Sequence, residues 1–184
     1  TQWLDALSRD LQAHRGRTII IAGDEQPPAV HALAFGMNQT LGNLGQTVLL
    51  IEPVEANPVN QTHSMRELAA DMEAGRVDLL VILGGNPVFT APADMRFGER
   101  LNKVKLRAYL GLYQNETSEL CHWFVPESHY LESWSDARAF DGTASIIQPL
   151  IAPLYQSKSA HEMLAALSNQ PDRTGYDSVR DYWQ

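Results

Sequence analysis

Residues 78–88 read Asp78-Leu79-Leu80-Val81-Ile82-Leu83-Gly84-Gly85-Asn86-Pro87-Val88. An apolar run this short, ending at a pair of glycines, suits a strand buried on both faces of a parallel sheet. The turn after it is the sharpest local feature of the chain. Gly84 and Gly85 lack Cβ atoms, so a ligand can approach the backbone closely. Asn86 both donates and accepts hydrogen bonds, and Pro87 steers it away from helical conformation. The alternative is a tight strand-to-loop turn that binds nothing.

Working outward, the same signal recurs. Arg17–Gly23 (RTIIIAG) and Thr47–Glu52 (TVLLIE) are short apolar runs rich in β-branched residues, and both are expected as buried strands. Further strands are expected near Val104–Leu112 and Trp123–Val125, with 144–151 extended and Pro149 pushing it to an edge. Helices are expected between them. One covers residues 2–14 up to Gly16, and one opens at Pro27-Pro28 and runs to about Leu44. Another begins at the Ser64/Glu67 capping-box spacing and stops at Gly75. Others lie near 93–102 and 116–120, and one starts at the Ser159/Glu162 spacing and runs to about Leu167. Alternating strands and helices imply one three-layer α/β domain over residues 1–184, with a mostly parallel, Rossmann-like sheet and helices on both faces. In such sheets ligands bind beyond the carboxyl ends of the strands. The loops after Ala22, Glu52, Leu83, Leu112 and Val125 are therefore the places to look.

Composition narrows the partners. A formal net charge of −8 repels phosphate backbones, and the longest basic stretch, Lys103/Lys105/Arg107, alternates as one solvated strand face would. No nucleic acid partner is expected. The single cysteine, Cys121, excludes an internal disulfide and a thiolate cluster. No apolar run approaches the ~20 residues that span a bilayer, and no signal peptide is visible. Thr1 stands almost at the start of an apolar helical pattern (Trp3, Leu4, Leu7, Leu11), and Trp183-Gln184 falls in another. Both ends read as cuts through a longer chain.

Familiar catalytic patterns are missing. Gly36, Gly42 and Gly45 lie late in a helix and make no dinucleotide fingerprint, and there is no P-loop or nucleophile elbow. Asp24 and Glu25 at the first strand-to-helix turn disfavour an anion there. None of the six histidines has a second histidine four residues away. His129 and Glu132 could share a metal if helical, or His129 could be structural. Ser135, His129 and Asp136 are the residue types of a triad, but closeness in sequence is no evidence for its geometry. Residues 132–143 (ESWSDARAFDGT) read either as a loop over a cofactor or partner, or as a solvent-facing loop with local ion pairs. Trp123, Phe124, Tyr130 and Trp134 are candidate core or interface anchors, the first two in the core.

One ordered set of motifs does resemble a known family. Gly84-Gly85-Asn86-Pro87, Asn115-Glu116-Thr117-Ser118, Val125-Pro126, Tyr130-Leu131-Glu132 and Gly142-Thr143 follow the order found in the molybdopterin oxidoreductase superfamily. They match an α/β domain that holds a molybdopterin guanine dinucleotide. The match covers about residues 77–155, and 109–154 most resembles one branch. That branch is the molybdopterin-oxidoreductase-like iron–sulfur subunit of alternative complex III, a bacterial quinol:electron-acceptor oxidoreductase. The resemblance implies a fragment of a longer oxidoreductase subunit, periplasmic and membrane-associated through partners. Those partners would be the other domains of that subunit and other subunits of an electron-transfer complex. It implies no cofactor in this chain, with iron–sulfur clusters elsewhere in the parent.

Departures from the wider family fit that branch. Gly111 stands for an Asp, Cys121-His122 for Ala-Asp, and Ala144-Ser145-Ile146-Ile147 for a run carrying Asn and Arg. Lost polar and basic groups are those a pyrophosphate needs. The expected reading is a degenerate, structural domain without catalytic residues or metal ligands. Two alternatives stand beside it. A genuine molybdopterin site, with Gly84, Gly85, Asn86 and Glu116 as the cofactor-binding residues, is one. A stand-alone nucleotide- or sugar-binding enzyme is the other.

Overall fold

A computed structural model describes residues 2–184. The chain divides into two compact units. One holds the chain up to Pro53 with Phe140–Gly142, and the other holds Val54–Ala139 and Thr143–Gln184.

The second unit carries the α/β sheet. Strands β1 (Leu79–Leu83), β2 (Leu106–Gly111) and β3 (Trp123–Pro126) pair in parallel in the order β1-β2-β3. The register sets Leu80 beside Arg107, Ile82 beside Tyr109, and Tyr109 beside Phe124. Alternation along the strands puts those side chains on one face. Against this face pack α3 (Gln61–Glu73) and α5 (Phe97–Leu101), through a buried cluster of Met72, Phe97, Leu101 and Val104 that Leu80 and Ile82 join. Toward the other face Val125 lines a cleft with Met163 and Ala166 of α7 (Ala160–Leu167). The fold class is therefore α/β with a parallel sheet, as the sequence predicts, though the sheet is small.

Between β1 and α5 lie the short helix α4 (Pro87–Thr90) and a 3-10 turn at Ala93–Met95. Arg96, in left-handed conformation, splits the helix expected over 93–102. The helix α6 (Glu116–Glu119) separates β2 from β3. The loop expected at 132–143 contains a strand, β4 (Ser135–Arg138), which pairs antiparallel with β5 (Ala144–Ile147). The last helix, α8 (Gly175–Trp183), reaches this hairpin through Trp183 Nε1, which donates to Asp136 at 3.1 Å. Beyond β3 the backbone gains one more parallel bridge, Glu127 to Lys158. The box of Ser159 and Glu162 caps α7 as predicted, whereas α3 starts at Asn60, whose side chain accepts from His63 N. Asn60 lies at the end of the proline-containing loop and caps first, so Ser64 falls inside the first turn.

The first unit departs further from expectation. It holds α1 (Gln2–Ala13) and α2 (Pro28–Thr40), as predicted apart from an earlier end to α2. Neither Arg17–Gly23 nor Thr47–Glu52 forms a strand, and one isolated bridge joins Leu44 to Val48. Both runs keep much of their apolar surface exposed, Ile21 at 77% and Leu50 at 73%. Side-chain amides take backbone bonds in this unit. Asn38 Oδ1 accepts from Ile20 N at 2.9 Å while Asn38 Nδ2 donates to Ile20 O at 2.8 Å. A side-chain amide thus occupies the two backbone groups that a neighbouring strand would use. The buried Asn43 adds bonds to Asn38 Oδ1 and Thr18 Oγ1, and its carbonyl accepts from Thr47 N and Val48 N.

Candidate functional site

The expected site residues meet at the carboxyl ends of β1 and β2. Gly84 N donates to Leu110 O, which carries the ladder one step past β1. Gly84 (φ 67°) and Gly85 (φ 71°) are both left-handed, a conformation that favours glycine, and they turn the chain into α4 with Pro87 at its first position.

Asn86 is the hub. Its Nδ2 donates to Glu116 Oε2 at 2.7 Å, and its Oδ1 accepts from Thr117 Oγ1 at 2.7 Å. Thr117 Oγ1 also accepts from Val88 N, which fixes the start of α4 against α6. Asn115 caps α6 by accepting from Thr117 N and Ser118 N. Its Nδ2 donates to Tyr109 OH, which in turn donates to Gly85 O at 2.7 Å. Gly85, Asn86 and Glu116 are therefore joined in one network, with each polar end of Asn86 already bonded, while Gly84 is held by the strand ladder.

Tyr109 fills the space beneath the turn. Its side chain is buried, stacked on Phe124, and lies where a Cβ on Gly111 would sit, 2.3 Å from the hydroxyl. Glycine at 111 is what admits this ring.

The electrostatics of the rim are acidic. Donation from Asn86, with help from the Glu116 backbone, holds the exposed Glu116 carboxyl below the ordinary value. Glu127 follows β3, its Oε2 3.9 Å from a would-be Gly84 Cβ, and burial pushes its carboxyl up. Among the described residues no lysine or arginine hydrogen-bonds into this network. A pyrophosphate calls for cationic or free N–H donors; no cation is supplied here, and the N–H groups of Gly85 and Asn86 are the donors at the turn without an acceptor among the described residues.

The other sequence candidates disperse. Glu132 accepts from His129 N and Leu154 N, both 2.9 Å, so it clamps two loops, and those bonds lower its carboxyl. The His129 ring lies against Tyr130 at 4.3 Å. Ser135 Oγ lies 3.2 Å from His161 Nε2 rather than from His129, and Asp136 bonds Trp183. Trp123, expected in the core, is 65% exposed, because β3 is an edge strand and Trp123 stands at its start. Phe124, also expected in the core, is half-buried and stacks on Tyr109. The roles of Tyr109, Thr117 and Glu127 escape sequence reading. Tyr109 looks like any apolar position of a buried strand, and only the Gly111 that accommodates it leaves a trace.

Compared with known proteins, the chain matches no family model, and no curated protein matches it. Among the described residues no helix is long and apolar enough to cross a membrane.

Proposed function

We propose that this chain is a molybdopterin-guanine-dinucleotide-binding-type domain in degenerate form, part of a longer oxidoreductase subunit. Its work is structural, within a respiratory electron-transfer complex resembling alternative complex III. The observation that carries the reading is the closed turn. Asn86 spends both ends of its amide on Glu116 and Thr117, and Tyr109 occupies the space under Gly85. The acidic pair Glu116 and Glu127 further disfavours a pyrophosphate. On this reading iron–sulfur clusters belong to other parts of the parent, which works on the periplasmic side and reaches the membrane through partner subunits.

One observation favours genuine cofactor binding instead. The four residues named by the motif order do converge at the carboxyl ends of the strands, where α/β ligands bind. Isolating the complete protein that contains this chain decides between the two. Molybdenum is measured by elemental mass spectrometry and pterin as its fluorescent oxidation product. Neither should approach one per chain, and stoichiometric pterin released from this domain overturns the degenerate reading.

A further inference from the structure

A second polar site lies beside the closed turn. Leu112, just past β2, and Glu127, just past β3, line a cleft of about 300 Å³ with the start of α7 and the β4–β5 hairpin. Its volume is at the lower end of small-molecule pockets. Ser135 and His161 both face it, with Ser135 Oγ 3.2 Å from His161 Nε2. Each is held by a rigid element. Ser135 opens β4 in register with Ile147 of β5. His161 is the second residue of α7, whose start is fixed by the Ser159/Glu162 box and by Ser128 N donating to Lys158 O.

We propose that Ser135 is a nucleophile served by His161 as general base, in a cleft that takes small uncharged esters. A serine hydroxyl bonded to an imidazole nitrogen in a cleft is the nucleophile–base pair that acyl transfer uses. The capping box satisfies the N–H groups of Ser159 and Glu162 and leaves those of Ala160 and His161 without an acceptor among the described residues. Both residues line the cleft, and on this proposal their N–H groups are the donors that stabilise the oxyanion. Leu112 and Ile147 supply apolar wall for a short acyl chain, and Glu127 at the rim disfavours anionic substrates.

The steps balance as follows. Ser135 Oγ bonds to the ester carbonyl carbon as its proton passes to His161 Nε2. The tetrahedral oxyanion then collapses, the bond to the alcohol breaks, and His161 returns the proton to the departing oxygen. Water adds to the Ser135 ester through the same base and releases the carboxylic acid, which restores the serine.

The 184-residue chain is treated with a fluorophosphonate probe, the adduct is mapped by peptide mass spectrometry, and hydrolysis of p-nitrophenyl acetate is followed in parallel. One adduct on Ser135 is expected, absent in Ser135→Ala. In His161→Gly, labelling and hydrolysis should fall at least about a hundredfold and recover when free imidazole is added. Circular dichroism confirms that this variant is folded. No adduct on Ser135, an adduct elsewhere, or an unchanged rate in folded His161→Gly overturns the assignment. Mapping on the unmutated chain stands even where His161→Gly does not fold.

Discussion

Two short runs with aliphatic centres meet opposite fates in this chain. Leu79–Leu83 becomes β1, with five residues of parallel register to β2 and Leu80 and Ile82 packed on the apolar cluster. Arg17–Gly23, with three isoleucines at its centre, is no strand, and its Ile19 and Ile21 stay 51% and 77% exposed. The first unit is organised around two buried amides, Asn38 and Asn43, and the second around Met72, Phe97, Leu101 and Val104. An apolar run therefore states a readiness to pair. Whether it pairs depends on what offers the backbone bonds, a strand at β2 or an asparagine at α2.

The widest test of this contrast is a pair of truncations. Leu101 is fully buried in the cluster, so Leu101→Ala should cost about 2–5 kcal/mol in urea unfolding, through lost transfer energy and the cavity left behind. Ile21→Ala removes a similar side chain from solvent and should stay within about 0.5 kcal/mol. Equal losses at the two positions would mean that Arg17–Gly23 is packed after all, and the contrast would fail.

A smaller effect is expected where the sheet meets the closed turn. Gly111→Ala places a methyl against the buried Tyr109 ring, with the ring Cζ 2.4 Å from the new Cβ. Overpacking of this kind costs about 1–3 kcal/mol. The ring must move, which breaks its bonds to Gly85 O and Asn115 and raises tyrosine fluorescence sensitivity to added quencher. An alanine accepted with no stability loss and no change in quenching would show that Tyr109 does not fill the turn.

How much of this was legible in the sequence differs between the two units for a physical reason. Positions set by local chemistry could be read directly. The Ser159/Glu162 box and the strands at 79–83, 106–111 and 123–126 follow from spacing and composition. The gathering of Gly84–Asn86 with Glu116 follows from their shared place at the carboxyl ends of neighbouring strands. Bonds between residues far apart in sequence could not be read. Asn38 reaches Ile20 across eighteen positions, and Ser135 meets His161 across twenty-six. Nor could β4, since Asp136 and Arg138 resemble loop residues and take strand form only through pairing with the apolar β5.

Asn38→Ala probes the first unit at its own centre. The change removes the acceptor of Ile20 N and Asn43 Nδ2 and the donor to Ile20 O. Because Ile20 is half-exposed, water replaces part of what is lost, and the cost should be on the order of 1 kcal/mol. Faster amide exchange at Ile20 is the direct readout. Unchanged exchange there would mean that a backbone partner, and not the asparagine, holds the segment.

The smallest effect is a titration at the closed turn. Glu116 is fully exposed and its carboxyl lies below the ordinary value of 4.5, chiefly because Asn86 donates to it. A depressed carboxyl contributes its stabilisation above the unfolded-state value and loses it as pH falls through the lower folded value. The Asn86 side-chain amide resonance should therefore move with a midpoint below 4.5 in an NMR titration, and Glu116→Gln should abolish that movement. A midpoint at or above 4.5 would mean that the Asn86–Glu116 bond is open in solution, leaving the amide free to meet a ligand. That result would weaken the closed-turn argument while leaving the contrast between the two apolar runs untouched.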